Sequence, residues 1–221
     1  MAVRTPAPGP SRPVRLALTH GERTMAIPPA AREAAPGRGE FRILLVCTAN
    51  ICRSAMAQVI AQAMLHSAPL PVVTASAGVR AMAGHPMAPH AITALDRLGL
   101  NGRAHRARPL DPALIGASDL LLTMETGHRA VAVGLDPRAA GKTFTLPEFA
   151  ELAAGAGHRR YRSDTVDRAR AIVQSAAERR AAVQPLEVYD PYGGPPQGYE
   201  TCAKTLGQSL SHALAALLGP R

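Results

Sequence analysis

The feature that most constrains the fold is a short apolar run that leads through a polar loop into a helix-favouring stretch. The run Phe41–Val46 (FRILLV) is too brief for a buried helix and predicts a short buried strand. Residues 54–65, rich in Ala, Met, Gln and Leu, favour a helix. The segment CTANICR, from Cys47 to Arg53, therefore follows a buried strand and opens a helix.

The same alternation of strands and helices continues along the chain. Further strands are predicted at 72–76, 120–124 and 143–146, and further helices at 89–98, 128–133 and 199–218. Gly99 and Gly219 follow two of these helices and act as stop signals. Strands that alternate with helices predict an α/β fold with a central four-stranded parallel sheet and helices on both faces.

Length and composition predict one globular domain preceded by a tail. The chain has 221 residues, of which 47% are hydrophobic, and this is enough for a single domain at 41–221. Residues 1–40 are rich in Pro, Ala, Gly and Arg without a sustained period, which predicts a disordered tail. Residues 154–183 are predicted to be a surface insertion, either a solvated loop and helix or an extra docking surface.

The chain shows no sequence signal for a membrane span or for export. No stretch of about 18 consecutive apolar residues occurs, and the N-terminus lacks the apolar segment of a signal peptide. Three cysteines do not suggest a disulfide framework, so we expect a cytoplasmic protein. The net charge of +9 suits an acidic or phosphorylated partner but also follows from composition, whereas 3% aromatic residues argue against nucleic acid.

The loop from Cys47 to Arg53 has the chemistry of an anion site. Backbone N–H groups at a helix N-terminus point outward, and the partial positive charge there favours an anion. A cysteine in that position is expected to ionise readily to the thiolate, its reactive form. The planar fork of Arg53 binds two oxygens at once, so the guanidinium can share an anion with the sulfur. A buried cysteine beside a surface arginine is the alternative interpretation.

The residues VCTANICRS, from Val46 to Ser54, resemble the phosphate-binding loop of low-molecular-weight protein-tyrosine phosphatases, V-C-x-G-N-x-C-R-S-P. The resemblance implies a flavodoxin-like layout, with Cys47 as the nucleophile and Arg53 as the phosphate ligand. Asn50 looks like the family's left-handed loop residue, and Ser54 like the hydroxyl that hydrogen-bonds the thiolate. The remaining members of the implied phosphate-binding loop are Thr48, Ala49, Ile51 and Cys52.

A second motif, YDPYGGP at residues 189–195, resembles the D-P-Y/F loop of the same family. By that resemblance Asp190 protonates the departing phenolate and then deprotonates the water that hydrolyses the phosphocysteine. The reaction needs such an acid because a phenolate leaves poorly unless it is protonated. Taken alone, Asp-Pro-Tyr-Gly is also an ordinary turn.

Shorter motifs match the family in the same order along the chain. Ser76 begins an S-A-G turn and, by the resemblance, hydrogen-bonds Asn50. His105 begins an H-x-A-R segment and is implied to be a second support of the loop. Three further segments resemble the third strand, its helix and an F-x-L-x-E-F motif, at residues 119–125, 128–129 and 144–149.

The chain departs from the family pattern in the loop and on the substrate side. Ala49 replaces the usual Gly and fits if its φ is negative, and Ala55 replaces a Pro that is favourable but not required. In the substrate-side loop, residues 79–85, Met82 is the bulky side chain where relatives often carry an aromatic. Tyr192 and Met82 are therefore predicted to form the slot for a phenyl ring.

The two other cysteines each have a structural interpretation. The resemblance implies a reversible disulfide between Cys47 and Cys52, and the alternative is that Cys52 is a small buried side chain. Cys202 lies among Ala and Leu and is predicted to be core. No His, Cys or Asp cluster has metal-ligand spacing, so neither a metal nor another cofactor is predicted.

The sequence thus predicts a bacterial phosphoric monoester hydrolase that acts on phosphotyrosine proteins through a phosphocysteine. Family analogy points to a bacterial tyrosine kinase as the partner, and no nucleic-acid partner is predicted. One alternative is an arsenate reductase on the same fold, which would need further cysteines to relay a disulfide. Another is a non-catalytic phosphate-binding module, which would have no need of Asp190.

Overall fold

The computed structural model describes residues 39–66, 71–155 and 165–219. Its strands are β1 (Phe41–Cys47), β2 (Val72–Gly78), β3 (Leu120–Thr123) and β4 (Thr143–Thr145). Its α-helices are α1 (Arg53–Leu65), α2 (Pro89–Asp96), α3 (Pro112–Gly116), α4 (Thr126–Leu135), α5 (Leu146–Ala154), α6 (Thr165–Glu178) and α7 (Pro196–Leu218). Two 3-10 helices lie at Pro137–Lys142 and Arg180–Ala182. The predicted tail lies outside the described residues except at 39–40, and so do residues 156–164 of the predicted insertion.

The four strands form one parallel sheet in the order β2-β1-β3-β4. Val46 near the end of β1 pairs with Ala77 of β2 and with Thr123 of β3. The carboxyl ends of the strands therefore meet at one edge, and the loop after β1 lies near the middle of it. Ligands bind at this edge of open α/β sheets. The predicted four-stranded parallel sheet is confirmed.

Helices cover both faces of the sheet. Successive side chains of β1 point to opposite faces. Ile43 and Leu45 belong to a large core with residues of α1, α2, α5, α6 and α7. Leu44 and Val46 belong to a smaller core with residues of α3, α4 and the first 3-10 helix. The predicted arrangement of helices on both faces is confirmed. In the part of the chain that the structure describes, no helix is both long and apolar enough to cross a membrane.

The glycine stop signals act where the sequence places them. α2 ends at Asp96, and Gly99 follows with a φ of 72°. α7 ends at Leu218, and Gly219 follows with a φ of 77°. Glycine adopts such positive φ values without steric cost and so ends a helix readily.

Helix α5 corrects the predicted strand at 143–146. The strand ends at Thr145, whose hydroxyl accepts a hydrogen bond from the Glu148 N–H, while the Glu148 carboxylate accepts one from the Thr145 N–H at 2.9 Å. This reciprocal capping box and Pro147 in the first turn start a helix at Leu146. The Thr-x-Pro-Glu pattern at residues 145–148 is a helix-start signal in the sequence. Phe144 and Leu146 favoured a strand over the same residues. Helix α3 was not predicted either.

Helix α6 lies within the segment predicted as a surface insertion and contributes one face to the core. Its buried side chains are Val166, Ala169, Ile172, Val173 and Ala176, all in the large core. Arg170 Nε donates to Asp119 Oδ1 at 3.0 Å, and Asp119 directly precedes β3. The helix therefore packs near the amino-terminal end of the strands, away from the loop after β1.

We expect Ile172→Ala to lower the free energy of unfolding by about 2–5 kcal/mol, because it opens a cavity under α6. The exposed neighbour Gln174 provides the matched control, and Gln174→Ala is expected to change stability by less than about 0.5 kcal/mol. Urea denaturation of both variants checks this. Equal unfolding midpoints for the two would contradict the packing described for α6.

Candidate active site

The loop after β1 begins with a buried thiol beside a hydroxyl. Cys47 is the last residue of β1 and is 2% exposed. Its Sγ lies 2.9 Å from Oγ of Ser54, in the first turn of α1. A hydroxyl at this distance can donate a hydrogen bond to a thiolate and stabilise its charge. The N-cap residue of α1, Cys52, makes no side-chain cap hydrogen bond, which leaves the first N–H groups of the helix available to an anion.

Asn50 organises the curve of the loop. It has a φ of 56°, the left-handed conformation expected from the sequence, and it is fully buried. Its Nδ2 donates to Oγ of Ser54 and to Oγ of Ser76, both at 2.9 Å. Its Oδ1 accepts from the Arg108 N–H at 3.0 Å. Each of these partners comes from a different part of the chain, so Asn50 ties the loop to α1, to β2 and to the segment after α2.

His105 supports the same residue from the other side. Its Nε2 donates to the carbonyl oxygen of Asn50 at 2.6 Å. Burial, together with Arg106 and Arg108, lowers the pKa of His105, and the hydrogen bond to Asn50 only partly opposes this. The ring is therefore neutral at physiological pH. Ser76 and His105 both contact Asn50.

Arg53 is buried at the base of the loop and meets two carboxylates. It is 1% exposed, and its second terminal nitrogen donates to Oδ2 of Asp190 at 2.6 Å. Its first terminal nitrogen donates to the carbonyl oxygen of Val188 at 3.1 Å and to Oε1 of Glu125. Burial lowers its pKa, but the hydrogen bond to Glu125 and the charges of Asp190, Cys47 and Glu125 outweigh this and raise it. Arg53 is a permanent cation.

Asp190 reaches the loop from a segment far downstream. The Val188 N–H donates to the Met124 carbonyl at 2.8 Å, just beyond the end of β3. This contact brings Asp190 to Arg53, while its Oδ1 accepts from the Tyr192 N–H at 3.2 Å. Its side chain is 43% exposed. The sulfur, the guanidinium and an accessible carboxylate are therefore brought together at one loop.

Glu125 and His128 lie at the site although the sequence analysis assigned neither a functional role. Glu125 follows β3 and pairs with Arg53. His128 Nε2 lies 2.9 Å from Oγ1 of Thr48, the residue after Cys47. Burial is the main cause that lowers the pKa of His128. A sequence signal did exist, since both residues follow a buried strand at the carboxyl edge of a parallel sheet, where ligands bind.

A groove of about 490 Å³ opens beside the loop. Its lining side chains are mostly apolar and are Ile51, Met82, His85, Pro86, Met87, Ala88, Pro89, Ile92 and Tyr192. Residues 79–85 are fixed to the loop after β1, because the Met82 N–H donates to the Ala49 carbonyl at 3.1 Å. The two residues predicted to form the slot, Met82 and Tyr192, thus line one groove and are both exposed.

Comparison with known proteins identifies the family. A family model described as low molecular weight phosphotyrosine protein phosphatase matches residues 42–160, more than half of the chain. The chain belongs to this family. The prediction made from the loop motif is thereby confirmed.

Individual members of the low molecular weight phosphatase family resemble the chain in sequence and structure. The chain is 41% identical over 110 residues to a protein-arginine-phosphatase of Geobacillus stearothermophilus, spanning 49% of this chain and 71% of the relative. It is 32% identical over 109 residues to the low molecular weight protein-tyrosine-phosphatase Etp of Escherichia coli strain K12, with shares of 49% and 71%. The solved low molecular weight protein tyrosine phosphatase from T. tengcongensis matches with a TM-score of 0.62 at 28% identity, covering 79% of this chain and 98% of that one.

Family membership makes the chain a phosphatase, as predicted. The comparisons favour neither an arsenate reductase nor a non-catalytic phosphate-binding module. Among the described residues other than glycine, Asn50 alone has a positive φ. Ala49 therefore has the negative φ under which alanine replaces the family's usual glycine without strain. In the described parts of the chain, no group of three or more His, Cys, Asp or Glu residues is placed to hold a metal ion.

The cysteines of this phosphatase differ in their surroundings. All three are buried free thiols. Burial is the main cause that raises the pKa of Cys52, and it raises the pKa of Cys202 to about 12. Both therefore carry a proton at neutral pH and belong to the large core. The disulfide between Cys47 and Cys52 that the family resemblance implies stays a prediction.

The close approach of β2 to the loop provides a test of its geometry. A Cβ on Gly78 would lie 2.6 Å from the Thr48 carbonyl oxygen and 3.0 Å from backbone atoms of Ala49 and Asn50. We expect Gly78→Ala to displace the loop and to lower kcat/KM for p-nitrophenyl phosphate by about 10–100-fold. A Cβ on Gly134 meets nothing within 4 Å, so Gly134→Ala is the control and keeps wild-type activity. Equal activity in the two variants would contradict this geometry.

Proposed function

We propose that the protein hydrolyses phosphotyrosine in other proteins, through a phosphocysteine formed on Cys47. The observation that carries the proposal is the ion pair between Arg53 and Asp190, at 2.6 Å across 137 residues of sequence. The pair supports the proposal, because Arg53 and Asp190, the proposed phosphate ligand and proton donor, contact each other at the loop that begins with Cys47. A site that only bound phosphate would gain nothing from the Asp190 carboxylate, because its negative charge repels a phosphate anion.

In the first step the Cys47 thiolate attacks phosphorus in line with the departing oxygen, and the bond between phosphorus and the tyrosine oxygen breaks. The free N–H groups at the start of α1 and the guanidinium of Arg53 hold the equatorial oxygens and stabilise the charge of the transition state. Asp190 is a carboxylate while it pairs with Arg53; once it leaves the guanidinium it takes up a proton from solvent, to which it is exposed, and gives that proton to the departing phenolate.

In the second step water attacks the phosphocysteine and inorganic phosphate departs. Asp190, now a carboxylate, takes a proton from that water. The Ser54 hydroxyl lies 2.9 Å from the sulfur, so it can hydrogen-bond the thiolate as it leaves. This returns Cys47 to its starting state, and neither step uses a metal or another cofactor.

Oδ2 of Asp190 accepts a hydrogen bond from one terminal nitrogen of Arg53, the phosphate ligand of the proposed reaction. Phosphoryl oxygens would take the place of the Asp190 carboxylate on the guanidinium. Asp190 is then free to face the leaving oxygen, which its position on an exposed segment allows. We infer that binding of the phosphoryl group and placement of the acid are one exchange of partners.

The shape and lining of the groove favour an aromatic phosphate ester. Cys47 is almost fully buried, so the phosphoryl group must be carried to the base of the loop by a long, rigid side chain. The phenyl ring of phosphotyrosine has that length, and the groove offers Met82 and Tyr192 as flanking surfaces. Aromatic rings and methionine sulfur pack favourably against such a ring.

Phosphoarginine is the second candidate, because the relative from Geobacillus stearothermophilus that is 41% identical is named a protein-arginine-phosphatase. A guanidinium group needs hydrogen-bond acceptors along its path. The groove offers mainly Ile, Met, Pro and Ala side chains, with His85 and Tyr192 as its polar residues. This lining favours phosphotyrosine over phosphoarginine.

The proposed partner is a phosphotyrosine protein, and family analogy points to a bacterial tyrosine kinase. A cytoplasmic location is part of the same proposal. Three cysteines held as free thiols support it, since such thiols persist in a reducing compartment.

The test compares peptides that carry phosphotyrosine or phosphoarginine, and p-nitrophenyl phosphate, in a buffer that contains a metal chelator. We expect the wild type to hydrolyse phosphotyrosine faster than phosphoarginine, and Cys47→Ser to abolish turnover. Asp190→Asn is expected to lower kcat on phosphotyrosine by about 10²–10⁴-fold, because the phenolate leaves unprotonated. Cys202→Ala removes a buried thiol of the core and is the control that keeps wild-type activity.

Faster hydrolysis of phosphoarginine would replace the substrate proposed here with the second candidate. Full activity of Cys47→Ser would overturn the nucleophile, and full activity of Asp190→Asn on phosphotyrosine would overturn the acid. Absence of turnover on all three substrates by folded wild type would overturn the proposed function itself.

A further inference from the structure

Glu125 lies at the N-cap of α4, a position where Ser, Thr, Asp or Asn side chains usually accept hydrogen bonds from the helix N–H groups. It is the N-cap residue of α4, with an extended backbone, yet its side chain makes no cap hydrogen bond. A side-chain acceptor at this position typically stabilises a helix by about 1 kcal/mol. Oε1 of Glu187, 61 residues downstream of Thr126, instead accepts from the Thr126 N–H at 2.8 Å. The carboxylate of Glu125 thus bonds to Arg53 and makes no cap hydrogen bond to its own helix.

The three partners of Arg53 divide into fixed and exchangeable ones. One terminal nitrogen bonds to Glu125 and to the backbone carbonyl of Val188. The other bonds to Asp190 alone among the described residues. Asp190 must leave the guanidinium to act as an acid, whereas nothing in the reaction requires Glu125 to move. After the exchange, Glu125 is the carboxylate that stays on the buried cation.

The same carboxylate also lies near His128, whose ring contacts Thr48, the residue after Cys47. Its Oε2 lies 3.9 Å from Nε2 of His128, and that nitrogen lies 2.9 Å from Oγ1 of Thr48. The charged groups that face the ring are Glu125, Arg53, Asp190 and Glu187, and burial lowers its pKa. When the His128 ring is neutral, Glu125 forms its ion pair with Arg53.

We propose that Glu125 is the positioning residue that holds Arg53 in the orientation needed to bind the phosphoryl group. The inference rests on the proposed function, since it assigns Arg53 the role of phosphate ligand. Glu125 acts through Arg53 and touches neither the substrate nor the sulfur. A negative charge so near a phosphate site weakens anion binding by Coulomb repulsion. Glu125 is therefore explained by the orientation it gives to Arg53 and not by any gain in affinity for phosphate.

Loss of orientation and loss of charge repulsion have opposite effects on the site, and this makes the proposal testable. Glu125→Gln keeps the shape and an acceptor but removes the charge, whereas Glu125→Asp keeps the charge on a shorter arm. Glu187→Gln is the matched control, because it removes one carboxylate charge near the site without touching Arg53. Each variant is compared with wild type in kcat and KM for p-nitrophenyl phosphate, in inhibition by inorganic phosphate, and in thermal unfolding.

We expect Glu125→Gln to lower kcat by about 10–100-fold, the cost of a misplaced catalytic group. Glu125→Asp is expected to recover part of that loss, which a general loss of stability would not produce. Glu187→Gln is expected to keep the wild-type kcat. If Glu125→Gln unfolds in the assay, the decision rests on Glu125→Asp: a kcat below wild type but above about one hundredth of it supports positioning, and a kcat equal to wild type overturns it.

Unchanged kcat in folded Glu125→Gln, with tighter inhibition by phosphate, would show that Glu125 is only a nearby charge and would overturn the inference. A loss of kcat in Glu187→Gln equal to that in Glu125→Gln would overturn it too, because charge alone would then explain both. Wild-type activity in the same assay distinguishes failure of this inference from failure of the proposed function. If wild type turns over and Glu125→Gln turns over equally fast, the inference fails and the proposed function stands.

Discussion

The site depends on one buried cation. Arg53 is 1% exposed, and an unpaired charge at such a position would cost several kcal/mol. Its partners come from the end of β3 and from the segment before α7, which lie 72, 135 and 137 residues away. Satisfying this one side chain therefore brings three separate parts of the chain to the carboxyl edge of the sheet, where Cys47 and Asp190 both lie at the loop after β1.

A second buried residue, Asn50, ties the backbone of the loop to separate parts of the chain. Asn50 adopts a left-handed conformation that would be strained without compensation. Hydrogen bonds to Ser54, Ser76, Arg108 and His105 supply that compensation. Arg53 and Asn50 together leave the loop little freedom before the phosphoryl group arrives. Preorganised groups of this kind lower a barrier because they need no rearrangement during the reaction.

The sequence was sufficient for the parts of this account that depend on local pattern. The strand before Cys47, the helix after Arg53 and the left-handed residue between them follow from hydrophobicity, propensity and the family motif. The pairing of Glu125 with Arg53 did not follow, because the two residues lie 72 positions apart and no local pattern records such a pair. The buried face of α6 was also missed, since the charged residues around Ile172 gave the segment a polar character.

The central claim is that the reaction passes through a covalent bond between Cys47 and phosphorus. Asp190→Asn is the informative enzyme, because nitrophenolate leaves without a proton but the second step still needs a base. Rapid acid quenching after mixing with p-nitrophenyl phosphate, followed by mass analysis of peptides, is predicted to find one phosphoryl group on the peptide that carries Cys47. Release of nitrophenol without any phosphoryl group on that peptide would mean that water attacks the substrate directly, and would contradict the account.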